Sequence, residues 1–375
     1  MIYFDNSATT FKKPKEVINQ VILGLSKYSA NPGRSGHTKS IEIAEKIEHI
    51  RNQVCDFLNT PRAVFTQNCT DALNLAILGT FVPNGHIICS INDHNSLVRP
   101  LFELEKKYGL EISIAKPQNN KTLSADDIKP LLKPNTYMVA INHMSNVDGA
   151  IADIQEIGEF CAENCLLFLV DGAQSVGHVE IDMQKSHIDM LTLAPHKGLY
   201  SPQGIGVLAM SKRTKIAPIR FGGTGTQSLN IYQPQEYPEG LESGTLATPN
   251  ILGLGAGLDF VKNNFLNITK KLDDLSTYLN FELGNINNVK VYTHPDNAFG
   301  IIGFNVADVE SSDISQILND KYHICTRGGL HCAGLKHKFL GTEKQGIVRA
   351  SICYYNTFSE CERFVKAIRE IAKMV

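Results

Sequence analysis

The chain contains no tryptophan, no C-x-x-C pair and no aliphatic run much longer than "LLFLV". A run of that length is far too short to span a bilayer, so no membrane segment is expected. Neither sign of charge dominates: 36 Lys and Arg stand against 38 Asp and Glu, for a formal net charge of −2. Without a basic stripe or an acidic tail, neither nucleic acid nor a lipid surface is an expected partner. The opening "MIYFDNSATTFKKP" has neither the basic start nor the apolar stretch of a secretory leader, and the expected location is the cytoplasm. Cysteines number nine, at 55, 69, 89, 161, 165, 325, 332, 353 and 361, which is odd, and most lie in apolar-periodic segments. They are expected to be reduced and mostly buried rather than a disulfide framework. Tandem repeats and low-complexity tracts are also missing, so the whole chain is expected to be ordered.

What is present suffices for one large and one smaller domain: 375 residues, 43% of them hydrophobic. Strand-then-helix patterns fill residues 60–210: "AVFT" before "TDALNLAILGTF", "HIICSI" before "SLVRPLFELEKKYG", then "ISIA", "TYMVAINH" before "DIQEIGEFCAEN", and "LLFLVDGA". That alternation predicts a mostly parallel sheet covered by helices on both faces. Ahead of it, apolar residues at 41, 44, 47, 54 and 58 predict a long amphipathic helix over 38–58, with Thr38 as its cap. From about residue 250 the pattern changes to two long helices ("ILGLGAGLDFVKNNF" and "TKKLDDLSTYLNFELG"), short strands ("VKVYT", "IIGFNV", "YHICTR") and a closing helix. The expected division is a large α/β domain over 14–250 and a small α+β domain formed by 1–13 and 251–375.

Three stretches place chemistry at strand ends. "LLFLVDGAQSVG" runs an apolar strand into Asp171, at the carboxyl end where α/β ligand crevices lie, although a turn-capping aspartate reads the same way. "IDMLTLAPHKGLYSPQGIGVLAM" runs another into His196 and Lys197; a loop lysine is commonly just solvated, but one following an apolar strand suits a Schiff base. A carboxylate for a pyridinium N–H and an amine for an aldehyde are what pyridoxal phosphate (PLP) requires. "FTQNCTDALN" offers a helix start near Thr70 for a phosphate, or simply an N-cap. His94, in "SINDHNSLVRP", ends a strand where its ring could lie against a cofactor or be an ordinary loop histidine. Finally, "RGGLHCAGLKHK" sets Cys332 among glycines and basic residues, open to reading as a buried filler, a metal ligand or a reactive thiol.

The order of "DNSATT", "NPGRSGH", "TQNCTDALN", "DHNS", "NHMSNVDG", "VDGAQS", "PHKGLYSPQGIG", "ESGT", "RGGLHCA" and "VRASICYYNT" resembles the cysteine desulfurase and selenocysteine lyase branch of the class V aminotransferase-like PLP enzymes, essentially end to end. The form R-x-G-x-H-C-A is similar to the group II members. The resemblance implies the aspartate aminotransferase-like fold of PLP-dependent transferases. It implies Lys197 as the Schiff-base lysine, Asp171 as partner of the pyridine nitrogen, Gln174 as partner of the ring oxygen and His94 as the ring stacked on the cofactor. Cys69, Thr70 and His196 match the phosphate site, completed by Thr245 from the other subunit of a homodimer. Arg349 matches the residue that pairs with the substrate carboxylate, Asn146 contacts both cofactor and substrate, and Ser7, Ala8 and Arg327 fall on the substrate side. Cys332 matches the nucleophile. Two departures stand out: Ala194 and Pro195 precede the His-Lys pair where the family often has Ser-Gly, and Gly334 follows the cysteine loop where many members have proline.

The implied activity converts L-cysteine to L-alanine and leaves a persulfide on Cys332 for a sulfur-acceptor protein. A selenocysteine lyase, a cysteine sulfinate desulfinase or another class V reaction would use the same groups. From a different class, a metal or sulfur-relay scaffold would use His323, Cys325, His331 and Cys332, a spacing that fits zinc poorly. Arg327 or a charged His331 is expected to raise the thiolate fraction of Cys332, and glycines 328, 329 and 334 to let its loop swing.

Overall fold

The computed structural model describes residues 1–33, 35–118, 122–294 and 299–375; Arg34 of the motif "NPGRSGH" lies outside them. A short strand β1 (Ile2–Tyr3) is followed by helices α1 (Lys15–Ser26) and α2 (Thr38–Leu58). The cap of α2 is His37, not Thr38: His37 is extended, and its Nδ1 accepts the Ser40 N–H at 3.2 Å. The buried stripe is Ile43, Ile47, Ile50, Val54 and Leu58, whereas Ile41, expected inside, is 48% exposed. At about 100° per residue, Ile41 stands roughly 140° from the middle of that stripe, which turns it outward.

Next come β2 (Arg62–Thr66), α3 (Cys69–Gly79), β3 (His86–Ser90), α4 (Asn95–Tyr108), β4 (Glu111–Ala115), α5 (Ala125–Ile128), β5 (Thr136–Asn142), α6 (Ile154–Glu163), β6 (Leu167–Asp171), β7 (Met190–Leu193) and β8 (Gly206–Met210). The strands form one seven-stranded sheet in the order β2-β8-β7-β6-β5-β3-β4. All neighbours from β4 to β7 are parallel; β8 alone runs against both β7 and β2. The period-2 alternation divides the core. Val64, Ile87, Ala140, Leu169 and Leu208 face one apolar layer with α3 and α4, while Ala63, Ile88, Ile141, Val170 and Val207 face the other with α2 and α6.

Beyond the sheet, the two expected helices are a single helix, α7 (Thr248–Gly284), of 37 residues. No glycine or proline separates Phe260 from Thr269, and Asn264 stays helical while its Nδ2 donates back to Phe260 O at 2.8 Å. Then follow β9 (Val289–Val291), β10 (Ile301–Val306), α8 (Ser311–Tyr322), β11 (Ile324–Cys325), α9 (Gly334–Leu340), β12 (Val348–Ser351) and α10 (Phe358–Ile371). Strands β12, β10 and β9 make an antiparallel sheet, and β1 pairs in parallel with β11, so the start of the chain is bound to its last third. Among the described residues no helix is long and apolar enough to cross a membrane. All nine cysteines are free; Cys89, Cys161, Cys353 and Cys361 are buried, Cys165 and Cys332 exposed.

Candidate active site

The parallel strands all deliver their carboxyl ends to one side of the sheet, which is where an open α/β sheet leaves a crevice. A cavity there is lined by Cys69, Thr70, His94, Asn146, Asp171, Gln174, His196 and Lys197, together with Asn68 and Ser96. Residues picked from separate motifs thus meet around one space.

Asp171 ends β6, and its Oδ1 accepts the Ala173 N–H at 3.0 Å and faces Cys69 Sγ at 3.7 Å. Burial raises its pKa; the Ala173 N–H and the nearby Lys197 pull it back down. Lys197 sits in a tight turn after β7, its N–H on Ala194 O at 3.0 Å. Burial lowers its pKa, against the attraction of Cys69 and Asp171. An amine easier to deprotonate than a surface lysine is what a carbonyl-capturing group requires. The turn needs Gly198, because a Cβ there would stand 2.1 Å from Val176 O. That requirement is non-local, and the sequence gives no sign of it.

At the head of α3, Asn68 caps the helix by accepting the Asp71 N–H at 2.9 Å, and the helix start leaves first-turn N–H groups without intrahelical acceptors. Thr70 Oγ1 and Ser96 Oγ share a hydrogen bond of 2.8 Å beside it. His196 is pushed down to about 4, by burial first and then by Lys197 and Lys13, and its buried Nδ1 has no partner among the described residues. His94 caps α4: Nδ1 accepts the Ser96 N–H at 3.1 Å, which assigns the proton to Nε2, and burial with Lys197 lowers its pKa to about 4. It is therefore a neutral ring at pH 7.

On the opposite side, Arg349 of β12 is almost fully buried; Nη1 donates to Asn146 O at 3.0 Å and Nη2 pairs with Asp5 Oδ1 at 2.9 Å. Asn146 Nδ2 donates to His331 O at 2.7 Å. Arg349 Nε and Asn146 Oδ1 are buried without partners among the described residues, polar capacity left over next to the cavity. The "DNSATT" motif closes the rim: Gln174 Nε2 donates to Ser7 O at 3.1 Å, Ser7 N–H to Ser351 Oγ at 2.9 Å, and Ala8 N–H to Asp5 O at 3.1 Å. Thr245 stands apart, lining a different cleft with Gln67, Asp71 and Arg220.

Cys332 is exposed and lines a groove with Asn74, Asn95 and Arg99; Thr70, His94 and Ser96 belong to both this groove and the first cavity. Cys332 O accepts the Asn95 N–H at 2.7 Å. One expectation fails here. His331 is not a cation: it is buried, its Nε2 donates to Ile347 O at 2.8 Å, and burial with Arg349 pushes its pKa to about 3. Arg327 is exposed and pairs through its backbone with Arg349. Among the described residues no group of three or more His, Cys, Asp or Glu could hold a metal ion.

The chain matches the aminotransferase class-V family over residues 2–364. It belongs to that family. The apo structure of the cysteine desulfurase from Thermococcus onnurineus NA1 superimposes with a TM-score of 0.93 at 32% identity, covering 100% of this chain and 95% of that one. The probable cysteine desulfurases of Methanothermobacter thermautotrophicus (31% identical) and Pyrococcus abyssi (32%) each align with 100% of this chain and with 95% and 94% of their own lengths. Membership in this class V family implies PLP, and the cavity fits that group. It offers the Lys197 amine, the Asp171 carboxylate, a helix start for the phosphate, and buried polar atoms without partners among the described residues.

Proposed function

We propose that the chain is a PLP-dependent cysteine desulfurase that converts L-cysteine to L-alanine and takes the sulfur onto Cys332. The observation that carries this is the shared wall: Thr70, His94 and Ser96 line both the cavity holding Lys197 and Asp171 and the groove holding Cys332. When bound, PLP supplies an electron sink for charge developing at the substrate Cα. Lys197 Nζ would hold the cofactor and move the proton at the substrate Cα. Asp171 would hold the proton on the ring nitrogen, Gln174 would meet the ring oxygen, and the α3 start with Thr70, Cys69 and His196 would hold the phosphate. Arg349 suits the substrate carboxylate because a guanidinium binds both oxygens, and Asn146 with Ser7, Ala8 and Arg327 completes that side.

The Cys332 thiolate attacks the substrate sulfur; an S–S bond forms, the substrate C–S bond breaks, and the bonding pair stays with carbon, which is protonated to alanine. The enzyme thiol thereby becomes a persulfide, and the exposure of Cys332 supports its onward transfer to an acceptor protein. Selenocysteine presents the same groups, so alanine yields from cysteine, selenocysteine and cysteine sulfinate rank the substrates.

A homodimer is part of the reading. Phe221, Leu229, Ile231 and Tyr232, between 76% and 100% exposed, form an apolar segment near Thr245 in sequence that a second copy would cover while presenting Thr245 to the partner's phosphate site. The free cysteines agree with a reducing cytoplasm. A division into 14–250 and 1–13 with 251–375 is supported by the β1–β11 pairing.

The test is to incubate the enzyme and Cys332→Ala with L-cysteine and quantify alanine and protein persulfide. The variant is expected to lose persulfide and nearly all alanine formation; equal alanine rates would overturn the role of Cys332.

A further inference from the structure

The cysteine segment carries a charged group that the proposed chemistry does not use. Lys336, on α9 one turn beyond Cys332, has a side chain only 5% exposed, and lysine is almost never buried without a partner. Its ammonium lies 2.7 Å from Asp148 Oδ2 and donates to Asn92 Oδ1 at 2.9 Å. The two acceptors belong to different loops. Asn92 shortly precedes His94, and its carbonyl accepts from Asn142 Nδ2 at 2.6 Å. Asp148 shortly follows Asn146, the residue that donates to His331 O. One cation therefore joins the loop of His94, the loop of Asn146 and the segment of Cys332.

The backbone at the thiol shows why such a tie matters. His331 and Cys332 have φ of 48° and 57°, a left-handed region that side chains adopt sparingly and keep only where their surroundings over-determine it. Upstream, His331 is fixed through Ile347 O and Asn146. Cys332 O itself holds the Asn95 N–H at 2.7 Å; downstream, Gly334 has no neighbour within 4 Å of where a Cβ would stand, and α9 is anchored by Lys336 and by His337, whose Nδ1 shares a hydrogen bond with Thr342 Oγ1 at 2.8 Å. The glycines expected to let the loop swing thus flank a thiol that is tied down on both sides.

We propose that Lys336 is a positioning residue for Cys332: by binding α9 to Asp148 and Asn92 it holds the thiol at the groove it shares with His94. The proposal rests on Cys332 being the sulfur-taking thiol and deepens that reading. Lys336 touches neither the cavity nor the thiol, so it acts on Cys332 through α9, and any effect on the His94 and Asn146 loops is read separately by cofactor content and the early spectral response.

Lys336→Met keeps an unbranched side chain, one atom shorter, and removes the charge. In the PLP-loaded, full-length enzyme the cofactor absorbance, the KM for L-cysteine and the rate of the cofactor's spectral response to L-cysteine should stay within about twofold of the parent, while persulfide formation and kcat fall roughly tenfold or more, as misplacement of a reacting group entails. An unchanged kcat, or a loss that extends equally to cofactor content or to the early spectral response, would overturn the proposal and leave the ion pair a merely structural one. Should Lys336→Met fail to fold, Asn92→Ala removes one of the two acceptors and is read against the same outcomes. Failure of the underlying reading is separate: it shows as Cys332→Ala matching the parent, whatever Lys336→Met does.

Discussion

Asp171 is held against the tendency of its own surroundings. Burial favours the neutral acid, and only the Ala173 N–H, Lys197 and weaker contacts from Cys69 and Thr192 favour the carboxylate. Replacing it with asparagine keeps the size and removes the charge that would hold a ring proton. We expect Asp171→Asn to lower kcat for alanine formation by on the order of 10²–10³, the range for losing one preorganised electrostatic partner. Steady-state alanine assays with a cofactor spectrum check this; a loss under tenfold would assign the ring nitrogen to another group. Asp171 and Lys197 were legible in the sequence because each follows an apolar strand, where a charge is conspicuous. Lys336 was not. In "HCAGLKHK" it is one basic residue among several, and its partners Asn92 and Asp148 lie far away in the chain. His331 was misread for the same reason, since its burial comes from packing that no neighbour in sequence reveals.

Among the elements, α7 shows how packing overrides propensity. Its first turns carry Gly253, Gly255 and Gly257, all buried, where a helix scale alone would gain about 1 kcal/mol from alanine. At Gly257, however, a Cβ would stand 2.1 Å from Leu199 O, in the turn that follows Lys197. Overpacking costs about 1–3 kcal/mol and here pushes on rigid backbone, so the clash outweighs the propensity gain. Gly257→Ala should therefore lower Tm and, by moving the Lys197 turn, lower cofactor occupancy too; thermal unfolding and absorbance read both, and a rise in Tm would refute the steric argument. The sequence split of this helix falls at residues 266–268, well away from these glycines, and nothing local marks the continuity that packing imposes there. Strand positions, by contrast, were legible throughout the large sheet because the alternation of apolar residues is local. Strand order and the reversed β8 were not, since pairing partners are chosen by contacts between segments distant in sequence.

Over the whole molecule, buried and half-buried histidines set the response to acid. His94, His143, His178 and His196 are pushed down to about 4 and His331 to about 3, each chiefly by burial, against about 6.5 in an unfolded chain. Between those values the unfolded chain binds protons that the folded one refuses, so stability is complete above about pH 6.5 and falls as pH drops toward 4. Asp93, raised to about 7 by burial, acts in the opposite sense, as do Asp171 and Glu242, but the lowered histidines outnumber them, with His86 and His337 shifted the same way. Net uptake of each proton on unfolding contributes up to about 1.4 kcal/mol per pH unit. Three of these histidines, His143, His178 and His331, lie outside the lining of the cofactor cavity, so the trend should appear with or without cofactor. Denaturant unfolding between pH 7.5 and 5 should give ΔG falling with pH. His143 offers the sharpest check, because its buried Nδ1 has no partner among the described residues. His143→Leu removes the titration without removing a hydrogen bond there, and should flatten the slope by up to about 1.4 kcal/mol per pH unit; an unaltered slope would mean that His143 does not hold its proton off in the folded state.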